Sequence, residues 1–221
     1  MLPKIIIQVD PKIYLKDPES SSLGRKIVGG SIELISKMGL ECFTFKKLAE
    51  EINSTEASIY RYFENKHRIL LYLCNWYWSL TEYQLVFLTT NVESAEERLL
   101  RIINLLTNKI VGDDSFEHIR EQQLRQIVFS ESVKAFLTKE VDVEDKEGAF
   151  ISYKSLVERT SKLILEINPS YGYPHMLVSA IIEGAHILHH FADHMPYLTN
   201  NIRDENSVTE FYEQIVFKAI K

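Results

Sequence analysis

FTFKKLAEEINSTEASIYRYFENKHRIL, residues 43–70, is the stretch whose reading decides the fold. Thr44 is a good N-cap, and Phe43 before it can pack on Leu48, so the pattern predicts a helix from Phe45 to about Ile52. Asn53 stops it, because asparagine tolerates the left-handed conformation that helix ends often require. Ser54 and Thr55 can then cap a second helix carrying Ala57, Ile59, Tyr60 and Phe63. Two short helices joined this tightly must cross steeply. That is the geometry with which a helix-turn-helix offers the start of its second helix to the major groove of duplex DNA.

Within this frame the sequence resembles the DNA-binding domain of the TetR family of bacterial transcriptional regulators, over about Gly24 to Leu73. Gly39 stands where that family closes its first helix and Thr44 where the second opens. Leu48-Ala49 matches its apolar-Ala pair, and Ser58-Ile59-Tyr60-x-x-Phe63-x-x-Lys66 matches the third helix and its exit. The turn carries Asn53-Ser54 where the family usually has Gly-Val. Beyond about Leu73 the resemblance implies an all-helical domain that dimerises and usually holds a small-molecule pocket.

The DNA-facing residues follow from this placement. Thr55, Glu56, Ala57, Ser58 and Arg61 are expected on the outer side of the second helix, with Ile59 and Phe63 inward. Arg61 suits a guanine, whose O6 and N7 match its fork. The resemblance places Tyr60 and Lys66 at phosphates, and Tyr62 joins the same set. Thr44 and Lys46 sit at the start of the first helix of the pair, where backbone N–H groups favour an anion.

Composition agrees with such a role. The chain has 221 residues, 45% of them hydrophobic, which is enough to bury a core in one large or two modest domains. No stretch approaches the length of a membrane helix, and Ile5 to Ile7 is too short for a signal-peptide core. Two cysteines, Cys42 and Cys74, in a chain without secretion signals fit a reducing cytoplasm and small apolar filler. The net charge of −6 is unevenly spread: residues 24–72 carry eight basic against six acidic side chains, whereas everything from Leu73 onward carries 14 against 22. Polyanion binding needs only a local basic face.

The remaining chain reads as helices. Residues 1–19 form an arm that alternates Ile5, Ile7 and Val9 and is expected to pack on its own domain. The run Ser20 to Ser22 caps a first helix with Ile27, Val28, Ser31, Leu34, Ile35 and Met38 inside. One long helix is expected from Lys66 to about Thr90, with Ile69, Leu73, Trp76, Leu80, Tyr83 and Phe87 at helical spacing. It joins the domain of residues 20–66 to that of residues 67–221. Ser94-x-x-Glu97 is a capping box for the next helix, which runs past Ile110 to Gly112. Ser115 opens another with Phe116, Ile119, Leu124, Ile127 and Val128. Residues 141–147 are an acidic connector or a frayed helix start, and a helix from about Gly148 to Ile167 follows. Pro174 to about Ala192 and the segment capped by Ser207-x-x-Glu210 complete nine helices.

Three further sets of residues carry functional expectations. By the resemblance the last two helices form a dimer interface, here Ala180, Gly184, Ile187, Leu188, Phe191, Phe211 and Ile215. Trp76, Tyr83, Phe87, Phe116 and Tyr153 are candidate walls of an apolar pocket. His186, His189, His190 and His194 cluster, but no catalytic H-E-x-x-H is present and the group reads as structural. The sequence thus points to an all-α homodimer with no cofactor, no metal and no enzymatic activity. It would be a cytoplasmic, nucleoid-associated repressor of operator DNA, released by a small apolar or aromatic effector. The alternative is a DNA-bound helical dimer regulated by a protein partner.

Overall fold

Helix α1, Ser22–Cys42, starts where Ser21 accepts a hydrogen bond from the Gly24 N–H at 3.0 Å. Its regular course ends at Gly39, whose φ of 73° only glycine adopts without strain. The structure is a computed structural model and describes residues 7–108, 116, 118–200, 204 and 206–221. The described residues fold into ten α-helices with no strand; Phe116 and Ile119 make one isolated bridge.

Two compact units divide the chain. The first comprises Met1–Leu80 and Val111–Ser152 and contains α1, α2 (Phe45–Glu51), α3 (Glu56–Tyr60) and the first half of α4 (Lys66–Thr89). It also contains α6 (Glu121–Phe136) and α7 (Val141–Lys146). Ile27, Val28, Ile35, Phe43, Leu48, Ile59, Phe63, Ile69 and Trp76 form its core, all exposed by 2% or less. Three small helices alone supply few large apolar residues, and α6 adds Leu124, Ile127 and Val128 to this core. Gly30 lets α1 approach the second helix closely, because a β-carbon there would meet the Ile52 side chain at 2.7 Å and Leu48 at 3.0 Å.

The arm belongs to this unit as well. Ile7, Val9 and Ile13 are buried, and the Leu15 N–H donates to the Tyr62 carbonyl at 2.8 Å. Ile5 lies outside the described residues.

The second unit comprises Thr81–Ile110 and Tyr153–Lys221. It holds the second half of α4, α5 (Ala95–Thr107), nearly all of α8 (Ile151–Ile167), α9 (Pro174–His194) and α10 (Ser207–Ala219). Helices α5, α9 and α10 pack on one another. Leu99, Ile103, Val178, Ile181, Ala185 and Val216 are buried between them. Polar ties fix their register: Thr107 Oγ1 donates to Thr209 Oγ1 at 2.8 Å, and Asn104 donates to Glu213 at 2.8 Å.

Several boundaries differ from the sequence reading. The sixth helix starts at Glu121, so Phe116 and Ile119 precede it in bridged, non-helical backbone. Ser115, Ile110 and Gly112 lie outside the described residues. The acidic run forms a short helix of its own, α7, and Gly148 at φ 94° separates it from α8, which begins at Ile151. Ser207 is the first residue of α10 and not its cap; Asn206 holds that position without a side-chain bond. Tyr83 and Phe87 were expected on the inner stripe of α4, yet they are 43% and 72% exposed.

Candidate nucleic-acid interface

The turn between α2 and α3 is built from backbone hydrogen bonds. Thr44 caps α2 by accepting from the Lys47 N–H at 3.3 Å. At the other end Asn53 turns left-handed with φ 52°, its N–H donates to the Glu50 carbonyl and the Ser54 N–H donates to the Ala49 carbonyl at 2.8 Å. These two bonds make a Schellman closure, in which an asparagine takes the position usually filled by glycine. Thr55 then caps α3 by accepting from the Ser58 N–H, and its hydroxyl lies 3.0 Å from that of Ser58. Only four residues, Ile52 to Thr55, therefore separate the two helices.

Burial sorts the side chains of α3 and its exit. Ile59 and Phe63 are fully buried, while Thr55, Glu56, Ala57, Tyr60 and Arg61 are exposed and Ser58 is half-buried. Thr44 and Lys46 at the start of α2 are exposed too. Tyr60 stays fixed in this exposed position because its ring packs edge-on against Phe45, with centroids 4.8 Å apart. Neither Lys46 nor Arg61 forms an ion pair with another described residue, which leaves both cations available to an anion.

Two residues expected on this face do other work. Tyr62 is buried, only 3% exposed. Its hydroxyl lies 2.8 Å from that of Ser21, a bond that lowers its pKa, and Lys16 of the arm sits 5.0 Å from its ring centroid. Lys66 donates to the carbonyls of Leu40 and Glu41 at 3.0 and 3.1 Å. A lysine placed on helix-terminal carbonyls satisfies acceptors left without intrahelical donors. On the opposite side of the same turn, the buried Glu131 of α6 accepts from the Leu40 N–H at 3.1 Å, and Lys134 holds that carboxylate at 2.7 Å. No local pattern signals this grip on the α1–α2 turn, because Glu131 lies 91 residues from Leu40.

The candidate pocket residues fall into two groups. In the first unit the Trp76 and Phe116 rings meet edge-on at 4.8 Å. Phe116 also borders an open polar cleft of about 700 Å³ with Arg25, Lys26, Glu33 and Arg120. In the second unit Tyr83 and Phe87 are exposed, and the Tyr153 hydroxyl donates to Glu183 at 3.0 Å. A groove of about 350 Å³ in that unit is lined by Leu85, Ile102, Leu163 and the ion pair of Arg98 with Glu166, and includes none of the five.

On α9 and α10, Met176, Ile187, Phe211 and Ile215 are exposed by 71%, 52%, 46% and 39%, with Ala180 exposed and Gly184, Leu188 and Phe191 partly covered. His189 is buried on the Thr107 carbonyl, while the His190 and His194 rings lie tilted against each other with centroids 4.6 Å apart. Among the described residues no group of three His, Cys, Asp or Glu side chains could hold a metal ion. Cys74 is buried and Cys42 is exposed, so only Cys74 is core filler.

An all-helical chain with this exposed α3, capped turn and buried Ile59–Phe63 underside is a helix-turn-helix DNA-binding regulator. Residues 27–73 match the model for bacterial regulatory proteins of the tetR family. No curated protein matches the sequence. Among solved structures, that of the superantigen PfiT superposes with a TM-score of 0.62 at 18% identity, covering 92% of this chain and 98% of that one. The fatty acid degradation regulator FadR from Bacillus halodurans gives 0.60 at 14%, covering 95% and 96%. AibR in complex with isovaleryl coenzyme A and operator DNA gives 0.59 at 16%, covering 89% and 98%. At these identities the likeness is one of fold. No helix among the described residues is long and apolar enough to cross a membrane.

Proposed function

We propose that this protein is a homodimeric repressor that holds operator DNA through α2 and α3 and is released by a small apolar or aromatic effector. The observation that carries the reading is the sorting of α3, where Thr55, Glu56, Ala57, Tyr60 and Arg61 are exposed over a fully buried Ile59 and Phe63. In this role Arg61 reads a base, and Thr44, Lys46 and Tyr60 hold phosphates. Lys66 contributes by fixing the α1–α2 turn and reaches the backbone only if it leaves Leu40 and Glu41. The protein works on the nucleoid of the cytoplasm.

Release follows from spacing. Two helix-turn-helix units enter successive major grooves when about 34 to 36 Å separates them. Helix α4 begins beside the DNA-reading helices at Lys66 and ends at Thr89, in the second unit. An effector that favours a tilted α4 alters that separation and lowers operator affinity, and by linkage the operator lowers effector affinity by the same factor. Coupling of about 1 to 3 kcal/mol is sufficient. AibR, whose structure contains both operator DNA and isovaleryl coenzyme A, gives a precedent in this fold for one chain that holds both kinds of ligand.

Selection of bound fragments from random duplex DNA tests the reading. A recovered near-palindrome with half-sites one or two helical turns apart supports it. Recovery of no sequence preference at low salt refutes it.

A further inference from the structure

Helix α9 packs on α5 and α10 and leaves one row of side chains uncovered. From Met176 to His190 its exposed residues are Met176, Ala180, Glu183, Ile187 and His190, and His194 continues the row. The steps along this row are four, three, four, three and four residues. A repeat of that kind is the seam along which a helix receives one further helix. Met176 and Ile187, 71% and 52% exposed, are its large apolar members.

The seam also carries an acid and two histidines. Neither Glu183 nor His190 forms an ion pair with a described residue. The Tyr153 hydroxyl donates to the Glu183 carboxylate at 3.0 Å, which fixes its place and leaves its charge unmatched. The His190 ring leans on that of His194. In a twofold pair every contact occurs twice, residue i of one copy on j of the other and j on i. That condition sorts the ways in which the seam can meet itself. Parallel pairing sets Glu183 beside Glu183, and so does antiparallel pairing centred on Glu183. Antiparallel pairing centred between Glu183 and Ile187 presses the carboxylate on isoleucine, away from water and from any cation, which is strongly disfavoured. Pairing centred on Ile187 sets Glu183 of each copy against His190 of the other. It also puts Ile187 on itself at the axis and the small Ala180 opposite the His194 ring.

We propose that α9 pairs antiparallel with α9 of a second copy of this chain, centred on Ile187, and that two reciprocal Glu183–His190 contacts fix the register. The proposal rests on the homodimer reading above and gives that interface its geometry. Because a helix without the matching acid and imidazole leaves both polar groups unpaired, the same contacts make the chain select its own copy.

Disulfide trapping of the full chain tests the register, in a Cys42→Ser background because Cys42 is exposed. Ile187→Cys is expected to oxidise to a covalent dimer, since a disulfide needs α-carbons within about 7 Å. Glu183→Cys and His190→Cys are expected to stay unlinked singly and to link the two copies when combined. Within one helix those positions lie about 10 Å apart, too far to bridge. Covalent dimer from Glu183→Cys alone, or none from Ile187→Cys, would overturn the register. Sedimentation equilibrium tests the charges. His190→Glu should weaken dimerisation about a hundredfold or more, as like charges across an interface do, and adding Glu183→Lys should restore it to within about tenfold. An unchanged constant in His190→Glu, or a double variant as weak as the single one, would remove the acid–base contact. Native protein that is monomeric at micromolar concentration removes the homodimer reading and this register together. A native dimer indifferent to these substitutions keeps the homodimer and removes the register alone.

Discussion

Tyr212 of α10 closes over Gly184 of α9: a β-carbon at Gly184 would collide with the phenol oxygen, and that hydroxyl reaches the Ala180 carbonyl at 3.5 Å. The glycine therefore serves the chain's own helix pair before it serves any partner. Two effects oppose each other in Gly184→Ala. Removing a mid-helix glycine gains about 1 kcal/mol, whereas overpacking against a buried ring costs about 1 to 3 kcal/mol. Unfolding in urea should show a net loss of up to about 2 kcal/mol, and the loss should shrink in a Tyr212→Phe background. An equal loss in both backgrounds would remove the hydroxyl as its cause.

Dimerisation is better probed away from that contact. Ile187 is 52% exposed on the same helix as Met176, which is 71% exposed. Ile187→Glu should leave the subunit folded and split the proposed dimer, because closing the interface would bury an unmatched carboxylate. Sedimentation at micromolar concentration reads this directly, and a variant that remains dimeric moves the interface elsewhere.

On the DNA side, Arg61 and Lys46 should differ in kind. Arg61→Ala is expected to cost about 1 to 3 kcal/mol and relax preference at one base position. Lys46→Ala should weaken all sequences alike and reduce the salt slope by about one unit. Binding isotherms on selected operators across a salt series distinguish the two behaviours, and identical effects from both would displace α3 from the major groove.

Lys66 and Glu131 grip one turn from two sides, so their contributions should be coupled. Lys66→Met frees the carbonyls of Leu40 and Glu41, and Glu131→Gln weakens the bond from the Leu40 N–H. Each change should cost about 1 kcal/mol or more, as for hydrogen bonds to charged groups. The double variant should depart from additivity by about 0.5 kcal/mol or more. Strict additivity would mean that the turn is held independently at each side.

A pH signature is expected on α8. His175 and then Lys162 hold the Glu158 carboxyl below its ordinary pKa, with His175 Nε2 at 2.8 Å. A carboxylate whose folded pKa is depressed contributes stability above its unfolded value and loses it as pH falls through the folded value. The contribution is small because the pair is exposed. Carbon-detected magnetic resonance should find Glu158 titrating below the ordinary carboxylate range in the native protein and moving up in His175→Ala. No movement would remove His175 as the cause.

Local signals made much of this molecule legible. Thr44, Asn53 and Thr55 announce two helix ends by side-chain chemistry that acts over three or four residues, and all three behave in the structure as that chemistry requires. Ser94 likewise caps α5. What the sequence hid was long-range. Tyr62 lies in the exposed-looking run Tyr60-Arg61-Tyr62, yet it is buried, with its hydroxyl against that of Ser21 and Lys16 of the arm over its ring. Tyr83 and Phe87 keep helical spacing with Trp76, yet periodicity does not reveal where the packed partner of a helix ends. Gly184 looked like a place for a partner helix because small residues permit close approach in either setting; Tyr212, 28 positions on, decides which.

The arm has a consequence for how this protein can be cut. Because Leu15 hydrogen-bonds to Tyr62 and Lys16 lies over its ring, residues 7–19 act as a lid on the exit of α3. A protease nicking near Asp17 would leave every side chain of the exposed α3 face intact and still strip the cover from the core beneath it. Loss of operator binding after such a cut would come from a collapsed foundation, with the reading surface itself unmarked.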